Sequence, residues 1–216
     1  TKFENDMLPI STFSGFSSLT TVILPDDLIT IGNSAFQSSG LTQIDLPDGL
    51  QRIGASAFRD CTNFNNELSL PDSVTFFGAL DEESASISMH SGRFTLFNTM
   101  INGFSYHGNG TNEFFEGIFA ALNSIGNTLE CIDMSNSALT ERVAIYLAAI
   151  ASTQSLKFVD VRGCQIDYST VYGTMLDKIL DNLEITGVTV YRDDGINSAV
   201  EPEQGIDLTL TVSADS

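Results

Sequence analysis

The chain has 216 residues, 42% of them hydrophobic, which is enough for one sizeable core or two small ones. Nine Lys and Arg against 28 Asp and Glu give a formal net charge of -19, which repels nucleic-acid phosphates and anionic lipid surfaces. We therefore expect no nucleic-acid partner. Because no run of 18 apolar residues occurs, we also expect no direct membrane insertion.

The first predicted elements come from a sequence that occurs twice at an offset of 22 residues. Residues 19–36 read LTTVILPDDLITIGNSAF, residues 41–58 read LTQIDLPDGLQRIGASAF, and a weaker third copy begins at Leu68. In each copy apolar residues alternate up to a proline, a pattern that predicts a short strand with one buried face. Repeats at this period predict a solenoid, whose function lies on a surface built by successive repeats.

The segment after each proline contains Ile-Gly-x-Ser-Ala-Phe, which predicts a close backbone contact at the glycine and a large buried ring. We expect Phe36 and Phe58 to fill the space between successive coils. Asp26, Asp48 and Asp72 follow the prolines and are predicted to cap turns. A divalent cation would relieve the repulsion between stacked carboxylates, but we favour turn capping and predict no metal site.

Residues 81–111 are polar and show no period, and we interpret them as an irregular transition with one possible strand at 93–97. They contain both histidines of the chain, His90 and His107. Neither histidine has a partner at motif spacing, so we predict no catalytic residues and no enzyme; an enzyme would need one of them deeply buried beside a carboxylate. No phosphate-binding or dinucleotide motif is present, and no cofactor is expected.

A second kind of repeat follows, at an offset of 27 residues. Residues 129–139 and 156–166 both fit L-x-x-L-x-L-x-x-(N/C)-x-L. Three helices are predicted, beginning at Thr111 or Asn112, at Thr140, and at Asp167 or Ser169. Their apolar faces are Phe115, Ile118, Phe119 and Leu122; Val143, Tyr146, Leu147 and Ile150; and Val171, Met175, Ile179 and Leu180. Late strands are predicted at 185–191 and 206–212.

The three cysteines, Cys61, Cys131 and Cys164, lack the short spacing of a structural zinc site and are odd in number. We expect free, mostly buried thiols. The motifs of residues 11–78 resemble the BspA-like class of leucine-rich repeats, in which a cysteine at the place of Cys61 is often packed inside the coil. The helix-containing half resembles the ribonuclease-inhibitor-like class, and this resemblance puts Cys164, and Ser137 one repeat earlier, at an inward position that satisfies the turn.

The two resemblances imply an α/β leucine-rich-repeat solenoid, a right-handed superhelix with irregular coils first and helix-backed coils later. We divide it into BspA-like repeats at 1–80, the irregular transition at 81–111, helix-containing repeats at 112–191 and a C-terminal cap or tail at 192–216. These parts are predicted to form one continuous solenoid.

Resemblance to BspA-like proteins implies a non-catalytic module of a secreted or cell-surface bacterial protein whose signal peptide has been removed. Its expected partner is an extracellular protein or glycan, and a basic one would suit the acidic residues of the strands. Asp45, Asp133 and Asp160 would form an acidic strip, with Ile23 and Phe158 as apolar anchors. The expected ligand-binding residues on the strands are Thr21, Ile23, Gln43, Asp45, Glu67, Ser69, Asp133, Phe158 and Asp160.

Other interpretations of the same residues remain open. Outward strand positions are polar simply because water is there, so the strip need not bind anything. The chain would then be a structural spacer without its own ligand. An intracellular scaffold or inhibitor is a further alternative, because three unpaired thiols are compatible with a reducing compartment.

Overall fold

The computed structural model of the chain describes residues 6–78, 95–137, 139, 143–153, 155–164 and 166–193. Short parallel strands and three helices are connected in these residues by turns and irregular segments. The strands are β1 (Met7–Leu8), β2 (Thr30–Ile31), β3 (Arg52–Gly54), β4 (Leu68–Leu70), β5 (Phe76–Gly78), β6 (Gly103–Tyr106), β7 (Cys131–Asp133), β8 (Phe158–Asp160) and β9 (Thr189–Tyr191). The helices are α1 (Asn112–Leu122), α2 (Ala144–Thr153) and α3 (Val171–Ile185).

The strands form two parallel sheets. The first sheet has the order β1-β2-β3-β5, and the second sheet has the order β4-β6-β7-β8-β9. In the second sheet Leu68 lies opposite Phe104, Phe104 opposite Ile132, and Ile132 opposite Val159. Because Leu68 belongs to an early repeat and Val159 to a late one, a single sheet continues through both kinds of repeat.

One hydrophobic core extends from Leu8 to Leu183 and contains buried residues of every described repeat. The alternation predicted for strands is seen in β4, where Leu68 and Leu70 are buried and Ser69 is exposed. Parallel strands combined with helices confirm the α/β class. The two kinds of repeat share one core.

The positions of the early strands differ from the prediction. The Leu-x-x-Val/Ile-x-Leu segments of the first two copies form no strand, and the strands lie instead at the Ile-Gly segments of β2 and β3. Glycine explains the difference because it lets the backbones approach closely. A Cβ atom placed on Gly54 would lie 2.5 Å from the backbone nitrogen of Asn33. The alternating segments are also connected between coils, by a 3.0 Å hydrogen bond from the Thr42 N–H to the Thr20 carbonyl, but they do not form a ladder.

The phenylalanines after the glycines stack from one coil to the next, as predicted. The Phe36 ring lies 5.4 Å from Phe13 and 5.6 Å from Phe58, between centroids, and both contacts are nearly parallel stacks. Phe36 and Phe58 are fully buried. Backbone bonds hold the coils at this spacing, because the Phe36 N–H donates to the Ala57 carbonyl at 2.9 Å.

The prediction of an irregular segment at 81–111 is wrong for residues 95–106. The Phe58 N–H donates to the Thr95 carbonyl at 3.0 Å, which adds another coil to the stack, and β6 then joins the second sheet. Of the strand predicted at 93–97, the described residues 95–97 form a turn. The sequence does contain a signal for β6, the apolar spacing Ile101-x-x-Phe104-x-Tyr106. The polar residues on both sides of this segment made the signal easy to miss. His90 lies outside the described residues.

Helix α1 begins as predicted. Its first turn is capped by Thr111, whose hydroxyl accepts a hydrogen bond from the Phe114 N–H at 3.3 Å. In α2 the predicted inward residues Leu147 and Ile150 are buried, as is Val143 just before the helix. The predicted cap Thr140 lies outside the described residues.

Helix α3 differs from the prediction in its start and in its buried face. Thr170 is the cap, accepting the Gly173 N–H at 2.9 Å, and neither Asp167 nor Ser169 caps the helix. Val171 and Met175, predicted inward, are 76% and 39% exposed. Gly173 turns toward the Asp167 carbonyl in a contact that leaves no room for a Cβ, which fixes the rotation of the helix. Its buried residues are Gly173, Leu176, Leu180 and Leu183.

The last described strand is shorter than predicted. Because α3 continues to Ile185, the strand expected at 185–191 begins only at Thr189. The strand predicted at 206–212, and the cap or tail at 192–216 beyond residue 193, lie outside the described residues.

Candidate functional site

The outward side chains of the strands form two parallel columns, which we call the strand face. One column contains Glu67, Cys131 and Phe158, and the other contains Ser69, Asp133 and Asp160. The paired register places Cys131 opposite Phe158 and Asp133 opposite Asp160, as the alternation predicted. We include in the strand face the corresponding positions of the earlier coils, Thr21, Ile23, Gln43 and Asp45, which are exposed. Asp45 lines the same groove as Glu67 and Ser69.

The early half of the strand face contains an open groove of about 440 Å³, which we call the acidic groove. Asp45, Asp48 and Glu67 contribute three carboxylates to its wall, and no Lys, Arg or His lines it. Ile23 occupies the position of Asp45 one repeat earlier and is 98% exposed. A row of carboxylates next to an exposed apolar side chain is suited to contacting a cationic surface. The remaining lining residues are Ile44, Leu46, Ser69 and Pro71.

The expected open acidic strip is wrong for two of its three members. Asp133 and Asp160 are only 8% and 5% exposed, because each carboxylate turns back onto the loop after its strand. Asp133 accepts the Ser135 N–H at 2.9 Å, and Asp160 accepts the Arg162 N–H at 3.0 Å. The Arg162 guanidinium also donates to Asp160 at 2.6 Å. These carboxylates stabilise the turns, so Asp45 alone remains an open member of the strip.

Phe158 is 36% exposed and lies in its column between Cys131 and Thr189. Beyond it, the Arg162 guanidinium lies over the Tyr191 ring at 5.0 Å from the centroid. The hydrogen bond from Arg162 to Asp160 raises the pKa of the guanidinium, so Arg162 stays protonated. Phe158 is therefore an apolar contact point, and the positive charge of the nearby Arg162 is already paired with Asp160.

The thiol of Cys131 is half-buried on the strand face. Burial raises its pKa to about 12, with a further contribution from the carboxylates of Glu67, Asp133 and Asp160. A raised thiol pKa leaves very little thiolate at neutral pH, and the thiolate is the reactive form. Cys131 is thus unsuited to nucleophilic chemistry.

We expect iodoacetamide to alkylate Cys131 in the native chain at pH 8 about fifty-fold more slowly than in the same chain unfolded in urea. The native rate should still rise nearly ten-fold per pH unit above pH 9, where the rate of the unfolded thiol levels off. Peptide mass spectrometry of quenched time points measures both rates. Equal rates in the two states would contradict the raised pKa.

His107 is half-buried at the end of β6. Its Nδ1 atom lies 2.7 Å from the Ser135 carbonyl oxygen and 3.9 Å from a carboxylate oxygen of Asp133. A carbonyl only accepts, so Nδ1 carries the hydrogen in this contact. His107 thereby ties two neighbouring turns together, and it lacks the deep burial beside a carboxylate that the enzyme alternative requires. The absence of enzyme activity stays a prediction.

The other two cysteines are free and buried inside the coils. Cys61 donates to the Phe36 carbonyl at 3.0 Å, next to Ser39. Cys164 donates to the Met134 carbonyl at 3.1 Å, next to Ser137. Each cysteine therefore satisfies a backbone group of the preceding coil, at the inward positions that the resemblances implied.

No three His, Cys, Asp or Glu side chains among the described residues converge as a metal site requires. This finding includes Asp26, Asp48 and Asp72, the column that a cation would have bridged. Within the same residues, no helix combines the length and the apolar character needed to cross a membrane.

Comparison with known proteins identifies the early part of the chain. Residues 4–89 match, in six copies, the family model described as a BspA type leucine rich repeat region. No curated protein matches the chain significantly. The BspA-like prediction made from residues 11–78 is confirmed. The ribonuclease-inhibitor-like prediction for the later half stays a prediction.

Proposed function

We propose that this chain, in which residues 4–89 are BspA-type leucine-rich repeats, is a non-catalytic binding module of a secreted or cell-surface bacterial protein. In this proposal its repeats continue as a right-handed solenoid, and the strand face contacts an extracellular protein or glycan in adhesion. Repeat architectures support such a role because neighbouring coils build one extended surface. The fold alone does not define the ligand, which depends on the side chains of the strand face.

The acidic groove is the observation that carries the proposal. Asp45, Asp48 and Glu67 line it without a neighbouring cation among its lining residues. A partner rich in Lys and Arg would supply those cations, and the net charge of -19 would attract it over a longer range. Exposed Ile23 and half-exposed Phe158 would add apolar contacts at two places along the face.

The test measures binding of the purified chain to a panel of extracellular-matrix proteins and to a synthetic Lys/Arg-rich peptide by surface plasmon resonance. The variant Asp45→Asn/Glu67→Gln keeps the side-chain shapes and removes two charges from the acidic groove. We expect it to weaken binding about ten-fold at low salt. Screening weakens charge–charge attraction with distance, so the carboxylates nearest the partner contribute most to binding. Binding by the native chain should weaken as salt is added.

The matched control is Asp177→Asn/Glu184→Gln on α3, which removes the same charge far along the chain and leaves Asp181 to pair with Arg192. It should change affinity by less than about two-fold. An equal loss in both variants would mean that net charge, and not the groove, drives binding. No binding to any probe would favour the structural spacer.

A further inference from the structure

A second groove, of about 670 Å³, lies at the N-terminal ends of the strands and is separate from the acidic groove. Its wall is built mainly of amides and hydroxyls from successive coils, and we call it the amide groove. The polar side chains that define it are Thr62, Asn63, Asn65, Asn102, Asn127 and Ser155.

Backbone conformation does not account for the presence of asparagine at four positions of the amide groove. Asparagine is often retained where the backbone is left-handed, yet Asn63, Asn65, Asn102 and Asn127 all lie outside the left-handed residues of the described chain. The side-chain amides of Asn63, Asn65 and Asn102 make no hydrogen bond to another described residue. These three side chains and that of Asn127 are exposed. Asn127 accepts one bond, from the Ser155 hydroxyl at 3.3 Å. The donors and acceptors of this wall are therefore available to a ligand.

The amide groove is electrically neutral in a strongly acidic chain. Glu130 is the one ionised residue of its lining, and the Lys157 ammonium lies 2.8 Å from that carboxylate. A charged ligand would find no unpaired counter-charge there. An apolar ligand would have to remove water from the amides without replacing their hydrogen bonds, which is costly.

We propose that the amide groove binds a neutral oligosaccharide. Each amide offers two N–H donors and a carbonyl acceptor, which match the hydroxyls of a sugar because a hydroxyl both donates and accepts. The groove passes β4, β6, β7 and β8, and three intervals between parallel strands measure roughly 14 Å. A sugar chain of several units spans that length. Met100, 38% exposed in the groove wall, supplies an apolar surface for a pyranose face.

This inference deepens the proposed function but uses other residues and another kind of force. Titration of the full chain with linear neutral hexasaccharides of glucose, mannose, galactose or N-acetylglucosamine, followed by NMR of the asparagine side-chain amides, tests it. We expect at least one of them to bind, with an affinity that changes little between low and high salt. Hexagalacturonate, an acidic sugar, should not bind.

The variants separate the two surfaces. Asn102→Ala/Asn127→Ala should weaken binding of the sugar ten-fold or more, because it removes direct hydrogen bonds. Asn102→Asp keeps the shape, removes the N–H donors and should weaken binding as well. Asn182→Ala, which removes an exposed amide of α3, and Asp45→Asn/Glu67→Gln should leave the affinity unchanged.

Three results would overturn the inference: no neutral hexasaccharide binds, only the acidic sugar binds, or the sugar binds equally well to Asn102→Ala/Asn127→Ala. Failure here with intact binding of the Lys/Arg-rich peptide would remove the glycan site and leave the proposed strand-face function standing. Intact sugar binding without binding of the Lys/Arg-rich peptide would remove the acidic-groove site and leave the glycan site standing. Thermal melting of each variant establishes that the exposed substitutions leave the chain folded.

Discussion

Phe36→Ala is expected to lower the free energy of unfolding by about 4 kcal/mol, the largest effect among the substitutions considered. The ring is fully buried and stacks on Phe13 at 5.4 Å and on Phe58 at 5.6 Å. Alanine removes both stacks and leaves a cavity between coils whose backbones are hydrogen-bonded to each other. Because those bonds fix the spacing of the coils, the neighbours cannot close the cavity.

Urea denaturation followed by circular dichroism measures this loss. The control is Phe16→Ala, which removes the same ring from a position that is 58% exposed and makes one edge contact with Phe13. It should cost less than about 1 kcal/mol. Similar losses in the two variants would show that the stack carries no special stability.

Gly54→Ala is expected to cost about 3 kcal/mol although it adds only one methyl group. A Cβ at this position would lie 2.5 Å from the Asn33 nitrogen and 2.7 Å from the Gly32 carbonyl carbon. Both are backbone atoms of the preceding coil, so no side-chain rotation relieves the clash. The first sheet would have to separate between β2 and β3.

Gly49→Ala is the matched control, because it places the same methyl group where the nearest atom is the Asp26 carbonyl oxygen at 3.8 Å. Its backbone is not left-handed, so alanine should be neutral or stabilise the chain by about 0.5 kcal/mol. Urea midpoints of the two variants give the comparison. A Gly54→Ala variant as stable as Gly49→Ala would contradict the close packing of the first sheet.

The periodic parts of the fold were predictable from the sequence because their residues are set by packing. Phe36 and Phe58, the face of α1 and the pairing of Ile132 with Val159 all follow from apolar spacing. The choice of strand was not predictable, since both the alternating segment and the Ile-Gly segment are compatible with extended backbone. The strand position depends on Gly32 and Gly54, whose close contacts exist only between coils.

The candidate site was predictable as a set of outward positions but not as a surface. Alternation places Asp45 and Asp160 in the same column, yet one is exposed and the other is bonded to Arg162, two residues later in the chain. That distinction depends on the hydrogen bonds of the turn that follows each position, and the spacing of apolar residues does not predict those bonds. The amide groove was missed for a related reason, because its asparagines lie outside the apolar spacing that marks the strands. Asn63 and Asn127 lie five residues before Leu68 and Ile132, whereas Asn102 lies two residues before Phe104, and the coils between them differ in length.

That inequality of coil length has a consequence for evolution. In the second sheet Leu68 is paired with Phe104, whereas Ile132 is paired with the much nearer Val159, and the register of the strands is kept in both cases. The backbone segments outside the sheet can therefore gain or lose residues one coil at a time without moving the inward side chains. Selection on a gene of this kind can diversify one stretch of surface by insertion and deletion while the rest of the protein remains unaltered.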